Sequence, residues 1–232
     1  MTVTGGSIHY RATATIVGAL FLAGMVIGIP GSILIQSILT GPDYLSGISA
    51  NSMKIAIGAI LWMFCVAGDA AHGVLMYPVL KRQNEFIALG YFSFRIVDAV
   101  FIGIHVLFIL MQIPLGSEFL KAGAAEGASL KIFSTILLKA NLYAYNIGMI
   151  TLGIAGSMLC YSFYKSTLVP RFVAVWGIVG YVTILIGSVL EVMGFDLMLI
   201  HTIPGGLWEL FIGVWLIVKG FNPMPADAES VR

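Results

Sequence analysis

EFIALGYFSFRIVDAVFIGIHVLFILMQI, residues 85–113, is apolar and long enough to cross a bilayer, yet it carries Arg95, Asp98 and His105 within it. On a helix Arg95 and Asp98 stand three residues apart and Asp98 and His105 seven, so all three project from one face, within about 80° at the helical period. A charge at the bilayer centre costs roughly 2.5–3.5 kcal/mol on insertion scales. That face is therefore expected to turn away from lipid, into a bundle, and to find partners there.

The rest of the chain fits the same setting. Of 232 residues 59% are hydrophobic and 10% charged, and the mean hydropathy is +0.99, a membrane composition that leaves no soluble domain to find. The formal net charge is +1 and no basic run is interleaved with aromatic residues, so the lipid bilayer is the expected partner and nucleic acid is not. Cys65 and Cys160 each lie inside an apolar run and read as small buried residues, not as a disulfide or a metal pair. The run from Thr13 to Leu39 is longer than a signal-peptide core and no A-x-A-like cleavage site follows it. It is expected to stay as a membrane helix, with the mature chain starting at or near Met1.

The expected architecture is all-α: a polytopic integral membrane protein with one six-helix domain over residues 1–220 and a polar tail over 221–232. The spans are placed at about 13–39, 53–80, 85–113, 131–165, 172–192 and 201–220. In the first, Gly24, Gly28 and the pair Pro30-Gly31 suggest close packing and a bend absorbed by neighbouring helices. Residues 41–52 are rich in turn formers and read as a short loop. Pro114 is expected to stop the third span, and residues 114–130 read as a polar segment. Along the fourth, Asn146, Gly153, Ser157 and Cys160 share a face suited to close helix packing.

Six spans put both termini on one side. Arg11, Lys81, Arg82, Lys165, Arg171, Lys219 and Arg232 fall at the termini and the 2-3 and 4-5 turns, against Lys54, Lys121 and Lys131 opposite. Seven to three places both termini in the cytoplasm by the positive-inside rule, and Tyr10, Tyr77, Tyr91, Tyr161, Tyr164 and Trp176 form an aromatic belt near that same level. Tyr77 to Lys81 and Tyr161 to Lys165 echo one another at the ends of the second and fourth spans.

Counting about 1.5 Å per residue from the flanking charges brings Asp69, Arg95, Asp98 and Glu209 to the bilayer midplane from three helices. They are the leading candidates for binding a ligand or a proton, with His72, His105 and Asn146 as further intramembrane candidates. One arginine against three carboxylates leaves two surplus negative charges, so at least one carboxyl is expected to hold a proton or sit beside a cation. A proton, cation or small polar solute is thus the expected ligand. The competing reading is polar glue, in which the cluster only fixes helix register in a membrane interaction or assembly factor. Gly205, Glu209 and Gly213 recur at intervals of four, which lets a neighbouring helix press against the Glu209 carboxyl.

An enzyme is the third choice. No G-x-S-x-G elbow or H-E-x-x-H motif occurs, and His9, His72, His105 and His201 are scattered. His72 and His105 are offset by roughly 15 Å along the membrane normal, too far to share one haem iron, so no cofactor, metal or catalytic residue is assigned. Met193, Asp196, Met198 and His201 near one turn could hold soft copper, but methionines at membrane ends mostly serve packing.

Tyr161-Ser-Phe-Tyr-Lys165-Ser-Thr-Leu-Val-Pro170-Arg171-Phe, then Gly177, Gly180 and Tyr181, and the closing run from Pro204 through Glu209 and Trp215 to Gly220 resemble the bacterial membrane family catalogued as domain of unknown function 4386. Asp69, the stretch Leu75 to Leu80 and the pair Phe94-Arg95 extend the resemblance to the first half. Asp98 departs from it, standing where a neutral polar residue is implied. The resemblance implies a six-helix bacterial inner-membrane protein and no particular activity.

Overall fold

The long apolar runs are helices, and they close into a ring. The computed structural model describes residues 4–41 and 43–223. Along the chain it contains α1 (Thr4–Leu39), α2 (Tyr44–Ala50), α3 (Ser52–Lys81), α4 (Glu85–Leu110), α5 (Gln112–Lys121), α6 (Ala124–Ser166), α7 (Arg171–Val192), a 3₁₀ turn (Ile200–Thr202) and α8 (Ile203–Val218), with no strand among the described residues. Six helical stretches are long and apolar enough to cross a membrane, and this is a multi-pass membrane protein. Residues 1–3, where the chain start was expected, and residues 224–232 of the expected polar tail lie outside the described residues.

Around the ring α1 packs on α3, α3 on α4, α4 on α6, α6 on α7, α7 on α8, and α8 back on α1. The last contact is tied at the end where the termini lie. There Arg11 Nη2 donates to the carbonyls of Ile217 at 2.7 Å and Val218 at 3.2 Å, acceptors that the last turn of α8 cannot satisfy itself. Glycines set the helix spacing: a Cβ at Gly180 would stand 2.9 Å from Gly205 Cα, and one at Gly18 would stand 2.6 Å from the Gly213 carbonyl oxygen. Gly205 therefore seats α8 on α7 and Gly213 seats it on α1, so the two glycines around Glu209 serve two different neighbours.

One apolar core fills the terminal half of the ring, with Met76, Tyr91, Phe163, Tyr181 and Trp208 buried in it; a second, around Ile35, Ile48, Ile55 and Ile109, fills the far half. The outward surface is apolar too, with Ile33, Phe64, Val100, Phe172, Val179 and Leu207 all exposed. So wide an apolar exterior is a liability in water and a lipid contact in a bilayer.

The turns near the termini are closed locally. Asn84 Oδ1 accepts from the Ile87 N–H at 3.1 Å and caps α4. At the end of α6 Thr167 takes the left-handed conformation, φ 57°, unusual for a β-branched residue. Asn222 braces it, its side-chain amide donating to the Thr167 carbonyl at 2.8 Å and its backbone N–H to Leu168 at 2.8 Å.

The far end differs from the sequence-based expectation. Pro114 does not end the helical stretch, which runs on to Lys121: α4 ends at Leu110, whose carbonyl an N–H at position 114 would have met, and α5 restarts at Gln112 with Pro114 in its first turn. Within residues 41–52, expected as loop, α2 forms because Leu45 and Ile48 bury against α5 at Gly116. α6 begins at Ala124, ahead of the expected 131, with Glu126 in its first turn. Gln112, Ser134 and Tyr44 stitch this end together: Ser134 Oγ donates to Gln112 Oε1, and the Tyr44 hydroxyl meets Ser134 Oγ at 2.9 Å. At 43 residues α6 is about 65 Å long, twice a ~30 Å hydrocarbon core, and its first half runs beside α2 and α5.

Candidate functional site

Arg95 projects from α4 into the ring, where it is 6% exposed, and takes two carboxylates. Its Nη2 donates to Oδ1 of Asp69 on α3, its Nε to the Asp69 backbone carbonyl at 3.3 Å, and its Nη1 to Oδ2 of Asp98 at 3.2 Å. Gly73 makes the α3–α4 approach possible, since a Cβ there would meet Arg95 Cβ at 3.2 Å. Asp98 keeps its second oxygen, Oδ1, buried without a hydrogen-bond partner, beside the glycine edge of α6 at Gly148. The third carboxylate stands apart. Glu209 Oε1 accepts from the Tyr181 hydroxyl at 2.8 Å, and no ion pair of Glu209 forms among the described residues.

Asp69, Arg95 and Glu209 line one cavity of about 100 Å³ inside the ring, bounded by α1, α3, α4, α6 and α8. That is room for a few waters, since one needs roughly 10–15 Å³ on this measure. His72 lines the same chamber, 3% exposed, its ring edge-on to Phe21 at 4.3 Å, with both ring nitrogens lacking a partner in the protein. A buried imidazole needs at least one hydrogen bond to offset its desolvation, and the chamber is where one can be supplied.

His105 and Asn146 are not at the chamber. Asn146 is buried on α6, donating to the Leu142 carbonyl at 3.1 Å with its Oδ1 unpaired. His105 shares the Arg95 face but lies ten residues on, about 15 Å. It opens onto a larger cleft of about 520 Å³ at the end of the ring opposite the termini. Trp62, His105 and Tyr145 form its aromatic wall, with centroids 5.3–6.3 Å apart. His105 Nδ1 lies 2.9 Å from the Asn141 side-chain amide nitrogen and 3.3 Å from the Asn141 backbone carbonyl, and the same amide donates to the His105 carbonyl at 2.7 Å, so Asn141 fixes the ring's position from both its side chain and its backbone. Glu191, Asp196 and Lys139 bring charge to the same cleft.

Six residues of this arrangement escaped the sequence reading as site residues: Tyr181, Tyr145, Trp62, Glu191, Lys139 and Asn141. Aromatic side chains inside spans carry no mark that separates core packing from a polar tip at work. Glu191 did carry a signal, an acidic residue in the last turn of an apolar span. No group of three or more His, Cys, Asp or Glu side chains that could hold a metal ion forms among the described residues.

No curated protein and no solved structure matches the chain. Residues 16–220, the ring from the first turns of α1 to the end of α8, match the family described as Domain of unknown function (DUF4386), and the protein belongs to that family.

Proposed function

We propose that the inner chamber is a proton-exchange site of a bacterial inner-membrane protein, and that Glu209 is the carboxyl that loads and releases the proton. The observation that carries this reading is the unequal pairing of the three carboxylates. Arg95 engages Asp69 and Asp98, whereas Glu209 faces the chamber with a phenol as its partner. Two carboxylates beside one guanidinium already leave one surplus negative charge, so a proton on Glu209 is the least costly way to keep the surplus from growing. Tyr181 suits both states of the switch: its hydroxyl donates to the carboxylate and accepts from the carboxylic acid. His72 supplies a second titratable group within the same cavity. A small cation could take the proton's place, as could a polar solute small enough for about 100 Å³.

Infrared difference spectra of the purified protein between about pH 5 and 9, compared with Glu209→Gln, test the assignment. Exchange gives a protonated-carboxyl band that disappears as pH rises in the parent and is missing from the variant. A Glu209 band that persists across the range assigns the carboxyl to permanent helix-to-helix hydrogen bonding and ends the proposal.

A further inference from the structure

The distal cleft carries an assignment separate from the chamber. At about 520 Å³ it falls in the range of small-molecule sites, roughly 300–1,000 Å³, and it is several times larger than a proton path requires. Trp62, His105 and Tyr145 lie about 30 Å along their helices from the end where the termini lie, which puts the aromatic wall where hydrocarbon gives way to water. Ile35, Ile109 and Leu142 continue the wall as an apolar surface.

The charge in the cleft has a sign. Glu191 and Asp196 stand against Lys139 alone, and each carboxylate is held in place from behind: Glu191 Oε1 accepts the Leu197 N–H at 2.8 Å and Asp196 Oδ1 the Met198 N–H at 3.1 Å. Each keeps a second oxygen for another donor. Below the cleft the chamber brings Asp69 and Glu209, and Asp98 stands behind it, all against Arg95 alone, so a bound anion would meet net repulsion from both levels. An aromatic wall beside fixed carboxylates favours a cation with an apolar body, through the ring quadrupoles and through direct charge. We propose that the distal cleft binds a small organic cation, a quaternary or protonated amine with an apolar substituent, its charged nitrogen between Glu191, Asp196 and the faces of Trp62 and Tyr145.

Isothermal titration calorimetry on the full chain in detergent micelles tests this, with benzyltrimethylammonium as probe and benzenesulfonate as a control of like size and opposite charge. The cation is expected to bind and the anion not. Trp62→Leu and Glu191→Gln should each weaken binding by about tenfold, and Glu191→Gln keeps an oxygen for the Leu197 N–H, so the turn survives. Binding of both probes alike, cation binding that neither variant weakens, or no cation binding to a chain that elutes as one species with its helical circular dichroism intact would each overturn the inference. Calorimetry does not read the Glu209 proton. Cation binding without a titrating Glu209 overturns the chamber proposal alone, and the converse overturns this one alone.

Discussion

At Arg95 burial and pairing are balanced against one another. A guanidinium taken out of water costs several kcal/mol, and what offsets that cost here is contact with two carboxylates and a backbone carbonyl at once. Removing Arg95 leaves Asp98, 1% exposed, and the more accessible Asp69 without their cation. Arg95→Ala should therefore lower stability by about 3–5 kcal/mol, read as thermal unfolding in detergent. The double variant Arg95→Ala/Asp98→Asn should recover part of that loss, because it takes away a stranded charge. A single variant as stable as the parent would show that the two pairs contribute nothing net. Much of this cluster was legible: the helical period put Arg95 and Asp98 on one face, and counting from the flanking charges brought Asp69 and Glu209 to their depth. His105 shows where the method fails, since it shares their face but stands two to three turns higher, in the other cavity. Which of Asp69 and Glu209 joins Asp98 on Arg95 was not legible, because both stand at its depth and only the order of helices around the ring separates them.

The helices themselves are spaced by glycine, and the spacing fixes the site. Gly180 on α7 meets the backbone of α8 at Gly205, one turn before Glu209. A methyl there meets Gly205 Cα, Gly205 N and the Pro204 carbonyl, all backbone, so no rotamer can relieve it. Gly180→Ala should cost about 1–3 kcal/mol by overpacking. Gly206→Ala, next along α8, would meet nothing within 4 Å and should leave thermal unfolding unchanged or slightly improved. Equal behaviour of the two variants would mean that the α7–α8 contact does not limit stability. The small-residue spacing around Glu209 was visible in the sequence, but not that Gly205 and Gly213 face different partners. The far end was less legible for a local reason. Pro114, Gly116 and the turn formers of residues 41–52 all favour loop by propensity, and α2 and α5 exist because their apolar sides cover one another, a tertiary gain that no local pattern reports.

For the whole molecule the ring has a polarity of charge as well as of shape. Along its axis five carboxylates, Asp69, Asp98, Glu191, Asp196 and Glu209, face two cations, Arg95 and Lys139. Basic residues instead gather where the termini lie: Arg11 on the end of α8, Arg82 over the Tyr10 ring at 4.7 Å, Lys81 over Tyr77 at 5.7 Å, Lys165 over Tyr161 at 5.8 Å. The Tyr-to-Lys echo between the second and fourth spans thus marks the same job done twice, a cation resting on an aromatic ring one turn before a helix leaves the membrane. An excess of Lys and Arg in short turns holds those turns in the cytoplasm during insertion, so the distal cleft should open on the opposite face, toward the medium. Reporter fusions at residues 83 and 168 and at the C-terminus are expected to give cytoplasmic signals, and fusions at residues 45 and 122 external ones. The discriminating pair is 122 and 168, at opposite ends of α6: a cytoplasmic signal at 122 with an external one at 168 would invert the protein, turn the cleft toward the cytoplasm, and remove the external medium as the source of its cation.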